Sequence, residues 1–215
     1  MSNRNPIKTK QSARNDEAKG QLRATILEAA RKIALEEGFA QLSIRKLADA
    51  IGYVPGNIYL YFRNRDEIIR EICLSGFAPL YAELKAAVAC APAAERLSVL
   101  LHTYADFALK HPQTYRLSFM EDPKFAEEMF RAAPLEGEEG AGQRAFALVV
   151  DEVRTLKKAG KVAADADEIL LAEVLWTGIH GVVSMKLLYP AFPTSPTTAL
   201  VDKMVQTLFK GCYRD

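Results

Sequence analysis

The sequence predicts an all-α protein, with three short helices at its amino end followed by a larger helical bundle. Three observations predict this. Apolar residues recur at i, i+3, i+4 and i+7 through most of the chain. No run of alternating β-branched residues appears. Glycines and prolines fall between the periodic stretches rather than inside them, and no internal repeat is evident.

Residues 1–18, beginning "MSNRNPIKTKQSARN", are polar and basic without periodicity, and predict a disordered arm. A first helix follows from about Gln21, with Leu22, Ile26, Ala29, Ala30, Ile33 and Ala34 on one face, and Gly38 ends it. A second begins after Ser43, a good N-cap, and carries Ile44, Leu47, Ala48 and Ile51 up to Gly52. Pro55 suits the first turn of a third helix reaching about Phe62. Asn64 then caps a new start, with Asp66 and Glu67 in the first turn, where the helix dipole favours acids. Further helices are expected at about 66–90, 93–110, 113–120, 123–133, 142–159, 166–188 and 197–211. They are separated by Pro92, Pro112, Pro123, Pro134, the acidic loop Glu136–Gly142, Gly160 and the turn "YPAFPTSP". The expected division is an arm at 1–18, a head of short helices at 19–66 and a larger helical bundle at 67–215.

Composition narrows the function classes. Of 215 residues, 49% are hydrophobic and 26% charged, enough for a sizeable core. Residues 1–70 hold 13 Lys and Arg against 8 Asp and Glu, a net of +5; the remaining 15 and 19 give −4. Only the first third is therefore suited to a polyanion. Cys73, Cys90 and Cys212 are far apart, which argues against a disulfide framework or a zinc module. His102 and His111 have no partner at metal-ligand spacing, so no metal is expected, and no cofactor. The longest strongly apolar uncharged run, Val174–Met185, has twelve residues, short of the roughly 20 of a membrane span. With no signal-like apolar core at its start, the chain reads as cytoplasmic and without a membrane partner. No nucleophile–base pattern, glycine-rich phosphate loop or HExxH is present, and no enzyme is expected.

On a helical wheel of residues 55–62, Ile58 and Phe62 form the inward edge. Gly56 and Leu60 fall opposite with Asn57 beside them, and Tyr59 and Tyr61 lie to either side. Small residues permit close approach, Asn can pair with an adenine edge, and tyrosine hydroxyls can donate to phosphate. The preceding helix leaves Arg45 and Lys46 near its own N-terminus, a favourable place for phosphate, and Arg63 and Arg65 would meet the backbone beside the groove. Two short helices joined by a glycine-bearing turn make a helix-turn-helix. Wheel and charge alone fit both a DNA-reading face and ordinary amphipathic packing.

Residues 22–70 resemble the N-terminal domain of the tetracycline-repressor (TetR) family of bacterial transcriptional regulators. The resemblance is carried by "SIRKLADAIG" and by "IYLYFRNRDEI", with Tyr59 and Phe62 followed by a basic residue and then acids. It implies that Ser43, Tyr59 and Arg65 contact phosphates, and that Arg45, Pro55, Gly56, Asn57 and Tyr61 face or border base edges. The family usually has Lys where Arg65 stands, and a small aliphatic residue where Tyr53 stands. Tyr53 would add a backbone contact or cap the turn.

"LWTGIHGVVSMKLLYP" and "ALKHPQTYRLSFM" resemble the Trp-His-Gly subset of the family's C-terminal domains. In this family those helices pair two subunits and often enclose a ligand. The residues agree in part: 142–159 and 166–188 predict an antiparallel hairpin, two of which can form an isologous four-helix interface, with Gly178 and Gly181 permitting close approach. Phe77, Tyr81, Tyr104, Phe107, Tyr115, Phe119, Trp176 and His180 would line an effector cavity or fill a core. The expected function is a homodimeric repressor, bound to a double-stranded palindromic operator and released by a small apolar or aromatic effector. The alternative is a DNA-binding protein of the same fold acting through a protein partner, as nucleoid-occlusion factors do, without induction.

Overall fold

A computed structural model of the chain describes residues 6–121, 140–189, 191, 192 and 194–210. The expected helix at 123–133 and residues 136–139 of the acidic loop lie outside them. The chain divides into two compact units, Met1–Cys73 and Leu74–Asp215, and every regular element described is helical.

The first unit contains α1 (Pro6–Glu37), a 3-10 turn at Phe39–Gln41, α2 (Ile44–Ile51), α3 (Pro55–Ile58) and α4 (Arg65–Leu74). Helix α1 starts far earlier than the sequence predicts: residues 6–18, expected as a disordered arm, are helical. Missing periodicity removes packing, not propensity. Pro6 fits the first helical position, and the turns after it propagate from the apolar stretch at Ile26 at little cost. Arg14 and residues 17–20 are accordingly exposed. From Ile26 onward α1 buries Ile26, Leu27, Ala30, Ile33 and Ala34. Phe39 and Leu42, Leu47 and Ala48, Ile58 and Phe62, and Ile68, Ile69 and Ile72 complete the core. Each fully buried Ile, Leu or Phe contributes about 1.5–3 kcal/mol relative to exposure. Ile44 and Ile51, expected in the core, are only half-buried. Helix α4 contributes its isoleucines here, so the unit ends at Cys73 rather than at 66.

The second unit contains α5 (Phe77–Cys90), α6 (Arg96–Lys110), α7 (Pro112–Phe119), α8 (Ala141–Lys158), α9 (Glu168–Leu188) and α10 (Thr197–Lys210). The single helix expected at 66–90 is broken before α5. A Cβ on Gly76 would sit 2.5 Å from Ser118 Oγ and 2.7 Å from Thr114 Cγ2, so α7 packs where only glycine fits. Helices α8 and α9 form the expected hairpin. Gly160 turns the chain in the left-handed region at φ 71°, and Asp167 caps α9 by accepting from the amides of Ile169 and Leu170. Glu168 accepts from Arg154 at 3.1 Å and pairs with Lys157 at 3.4 Å, and the Arg154 hydrogen bond holds its carboxyl below the usual range. Gly178 does permit close approach, but to α10 of the same chain: an added Cβ would lie 2.6 Å from Met204 Sδ. Gly181 faces open space.

Helix α9 is apolar on two sides. Leu171, Ala172, Leu175, Trp176, Ile179 and Val183 are buried, whereas Ile169, Leu170, Val174 and Leu188 are exposed. It meets the length and composition of a membrane span, yet one of its faces belongs to the packed interior of a helical bundle.

Gly52, which closes α2 at φ 72°, has no neighbour within 4 Å of an added Cβ. Gly52→Ala therefore meets only the left-handed backbone cost, and urea unfolding followed by circular dichroism should show a loss of about 1–2 kcal/mol. Gly52→Asn should lose less, because Asn tolerates that conformation.

Candidate nucleic-acid interface and effector cavity

The helix-turn-helix is built by local rules. Ser43 Oγ accepts from the Lys46 amide at 3.2 Å and starts α2. Gly52 stops it, its amide reaching the carbonyls of Ala48 and Asp49. The Tyr53 amide returns to Ala48 O at 2.9 Å, and Pro55 opens α3. Helix α3 is one turn long and ends at Ile58, not at Phe62. Hydrogen-bonded turns continue it, with the amides of Tyr61 and Phe62 donating to Ile58 O at 2.9 and 3.0 Å. Asn64 then caps α4 by accepting from the Glu67 amide at 2.8 Å, while Glu67 accepts from the Arg63 amide at 2.6 Å.

The wheel's inward edge is sealed, with Ile58 at 0% and Phe62 at 1% exposure. Pro55 and Gly56 are exposed, Asn57 and Tyr61 are half-buried, and Tyr59 is 57% exposed. Tyr53 and Val54 are also exposed, and Leu60 reaches 80%. The expected cations divide into two groups. Arg45 and Arg63 are exposed and carry no intramolecular ion pair among the described residues. Lys46 pairs with Glu37. Arg65 is half-buried and donates to Phe39 O, with its Nε buried and unpartnered. It ties α4 to the turn between α1 and α2, a role that sequence reasoning missed. Sequence reasoning also missed a recess of about 440 Å³ lined by Lys19, Gly20, Arg23, Leu60 and Tyr61. Arg23 is held there by Glu71 and lies 5.0 Å from the Phe62 ring centroid.

In the second unit a cavity of about 530 Å³ opens between α8 and α9, lined by Gln143, Phe146, Glu173, Trp176, Thr177 and His180. Of the eight residues expected to line a cavity, it includes Trp176 and His180. Phe77, Tyr104, Phe107 and Tyr115 are core, Phe119 stacks edge-on against Phe77 at 4.8 Å, and Tyr81 lies under Arg144 at 4.9 Å. Glu173 and Thr177, which were missed, had a signal: with the expected Trp176 and His180 they follow i, i+3, i+4, i+7 on one face. The buried Trp176 Nε1 has no partner. The Tyr115 hydroxyl is hydrogen-bonded with His180 Nδ1 at 2.8 Å, and the Tyr104 hydroxyl lies 3.0 Å from both ring nitrogens. Burial pushes the Tyr115 phenol up to about 12 and raises that of Tyr104, so both stay protonated. Burial also lowers His180 to about 4, keeping it neutral.

The depressed pKa of His180 has a definite sign. Between its ordinary value of 6.5 and about 4 the unfolded chain binds more protons, so stability is full above 6.5 and falls as pH drops toward 4. The loss reaches about 3 kcal/mol at most. Urea unfolding at pH 7.5 and pH 4.5 should show that His180→Gln removes this component of the acid loss.

Residues 26–72 match the model of the bacterial regulatory proteins of the tetR family, and residues 97–208 match the tetracyclin repressor-like C-terminal domain. An HTH-type transcriptional regulator of Haemophilus influenzae is 36% identical over 69 residues, covering 32% of this chain and 37% of that protein. The match thus spans little more than a third of that relative. A protein of unknown function from Rhodococcus sp. RHA1 superposes with a TM-score of 0.69 at 25% identity, over 90% of this chain and 96% of its own. The transcriptional regulator FadR from Bacillus subtilis, solved in complex with stearoyl-CoA, gives 0.67 at 16% identity, over 88% and 99%. With a helix-turn-helix head and a helical second unit that each match a model of the same group, this chain belongs to the TetR family of bacterial transcriptional regulators.

Proposed function

We propose that the protein is a homodimeric repressor that leaves a palindromic operator when a small apolar or aromatic effector binds its second unit. The observation that carries the reading is the exposure pattern of residues 53–62. Ile58 and Phe62 are locked inward, while Pro55, Gly56 and Tyr59 stay exposed, as do Arg45 and Arg63 of the same unit, which have no intramolecular ion pair among the described residues. In this reading Ser43, Tyr59 and Arg63 meet phosphates, and Arg45, Pro55, Gly56, Asn57 and Tyr61 border base edges. Tyr53 adds a backbone contact. Lys46 and Arg65, each held by a partner within the chain, contribute chiefly by fixing the head.

The two-sided apolar character of α9 supports pairing of two copies. A helix apolar all round is one that is covered all round, and a second α8–α9 hairpin is an occupant that closes symmetrically. Two heads on a symmetric dimer reach successive major grooves about 34–36 Å apart. The cavity supports an effector: its walls are Phe146 and Trp176, and its polar groups are few. The stearoyl-CoA bound by the structurally similar FadR favours an apolar ligand of some kind. An effector that binds one dimer geometry better shifts the spacing of the heads, and operator affinity falls by the same coupling. Such a regulator works where the chromosome is, in the cytoplasm.

Selection from a random duplex pool at low ionic strength should return a palindrome with half-sites about one helical turn apart. Enrichment of no sequence would overturn the reading. Arg45→Ala should weaken the selected operator by about 1–3 kcal/mol and relax preference at one base position; an unchanged sequence preference contradicts its role. Trp176 is the chain's single tryptophan. An effector that releases DNA should change its emission, and release without such a change would remove the cavity from the mechanism.

A further inference from the structure

We propose that Leu60 is a specificity determinant whose side chain seats against the C5-methyl group of a thymine in the operator's major groove. This rests on the DNA-binding reading and goes one step beyond it, to the base that an apolar residue selects.

Leu60 is the most exposed large apolar side chain among the described residues, at 80%. Its direction is fixed. It lies two positions from both Ile58 and Phe62, which are sealed in the core while Leu60 itself stays in solvent. Its amide donates to Asn57 O at 3.3 Å, so the turn that carries it is hydrogen-bonded and not free to fold the leucine back. Packing within the first unit therefore gives no reason for an aliphatic residue here, and a polar one would cost the fold nothing.

The surroundings identify the occupant. Leu60 shares its recess with Lys19 and Arg23, and Arg45 and Arg63 belong to the same basic head. An apolar tip bordered by Lys19 and by Arg23, which Glu71 holds, on a head of net positive charge suits a partner that is polyanionic at its edges and carries a small apolar group between them. B-form DNA has that arrangement in the major groove, where the thymine methyl is the one apolar feature among donors and acceptors. Val54, 64% exposed just before α3, is a second apolar side chain of this segment left in solvent, and it cannot read a donor or acceptor either. Deoxyribose is the competing apolar surface, and it is common to all four nucleotides.

The test removes the methyl group alone. The operator recovered by selection is synthesised with each thymine in turn replaced by deoxyuridine, symmetrically in both half-sites. Binding of the full chain is measured by fluorescence anisotropy for wild type and Leu60→Ala. Wild type should lose about fourfold per half-site at one thymine position, the worth of one buried methyl-sized group. Leu60→Ala should bind the unmodified operator at least that much more weakly and be indifferent to the same replacement. At 80% exposure the substitution should leave the melting temperature unchanged, which the same sample can verify. Insensitivity to every replacement overturns the proposal, as does equal sensitivity in wild type and variant. So does a variant that weakens all sequences alike, since that marks a sugar contact. Failure to bind any duplex overturns the DNA-binding reading itself, whereas tight operator binding without methyl dependence overturns this inference alone.

Discussion

The head depends on the burial of two side chains, Ile58 and Phe62. Helix α3 has four residues, one turn, and a turn that short is not stable by its own hydrogen bonds because nucleation costs more than it returns. Its orientation is imposed from outside. Ile58 and Phe62 are anchored in a core built by α1, α2 and α4, and Arg23, held by Glu71, covers the Phe62 ring. Gly52 sets the entry angle, and the Asn64–Glu67 capping pair sets the exit. With both ends and the inward edge fixed, every other residue of the turn is fixed in direction too. Preorganisation of this kind lets a single turn present a defined surface without ordering costs on binding.

Arg65 belongs to the same constraint. A half-buried guanidinium that donates to Phe39 O links the start of α4 to the turn between α1 and α2. Its fork can serve backbone carbonyls within the head and still carry charge near the surface, which a lysine ammonium does less well. The cation pattern around α3 therefore separates by geometry. Arg45 and Arg63 remain available, while Lys46 and Arg65 are spent within the chain.

The head was largely legible because its signals are local. Ser43, Gly52, Pro55 and Asn64 are caps and breakers that act within four residues, and the Ile58–Phe62 edge follows from helical spacing. What escaped depends on residues distant in sequence. The helix from Pro6 escaped because propensity without burial leaves no periodic trace. The close packing of α7 on Gly76, at the break before α5, escaped because Ser118 and Thr114 lie some forty residues away. The pairing of Lys46 with Glu37 is a choice of long flexible side chains that only packing decides. In the bundle, aromatic content identified the region and part of the lining, Trp176 and His180, but not the polar walls. Tyr104 and Tyr115 went to the core and to His180, and the cavity took Gln143, Glu173 and Thr177 instead.

Helix α9 concentrates what the second unit does. One side is buried with α6 and α8, another is open through Leu170, Val174 and Gly181, and Glu173, Trp176, Thr177 and His180 between them line the cavity. His180 further attaches it to α6 and α7 through two phenols that stay protonated. In the proposed dimer, ligand and partner copy would therefore meet the same helix within a turn or two of each other. Coupling between them then requires no extended pathway through the protein, only a small rotation or shift of a rigid element with two packed arrangements. The unpartnered Trp176 N–H and the neutral His180 ring are groups whose hydrogen bonding a ligand can change at little cost in charge. A ligand offering an acceptor to that N–H would favour whichever arrangement turns it toward the cavity, and its differential affinity would set the limit of the shift.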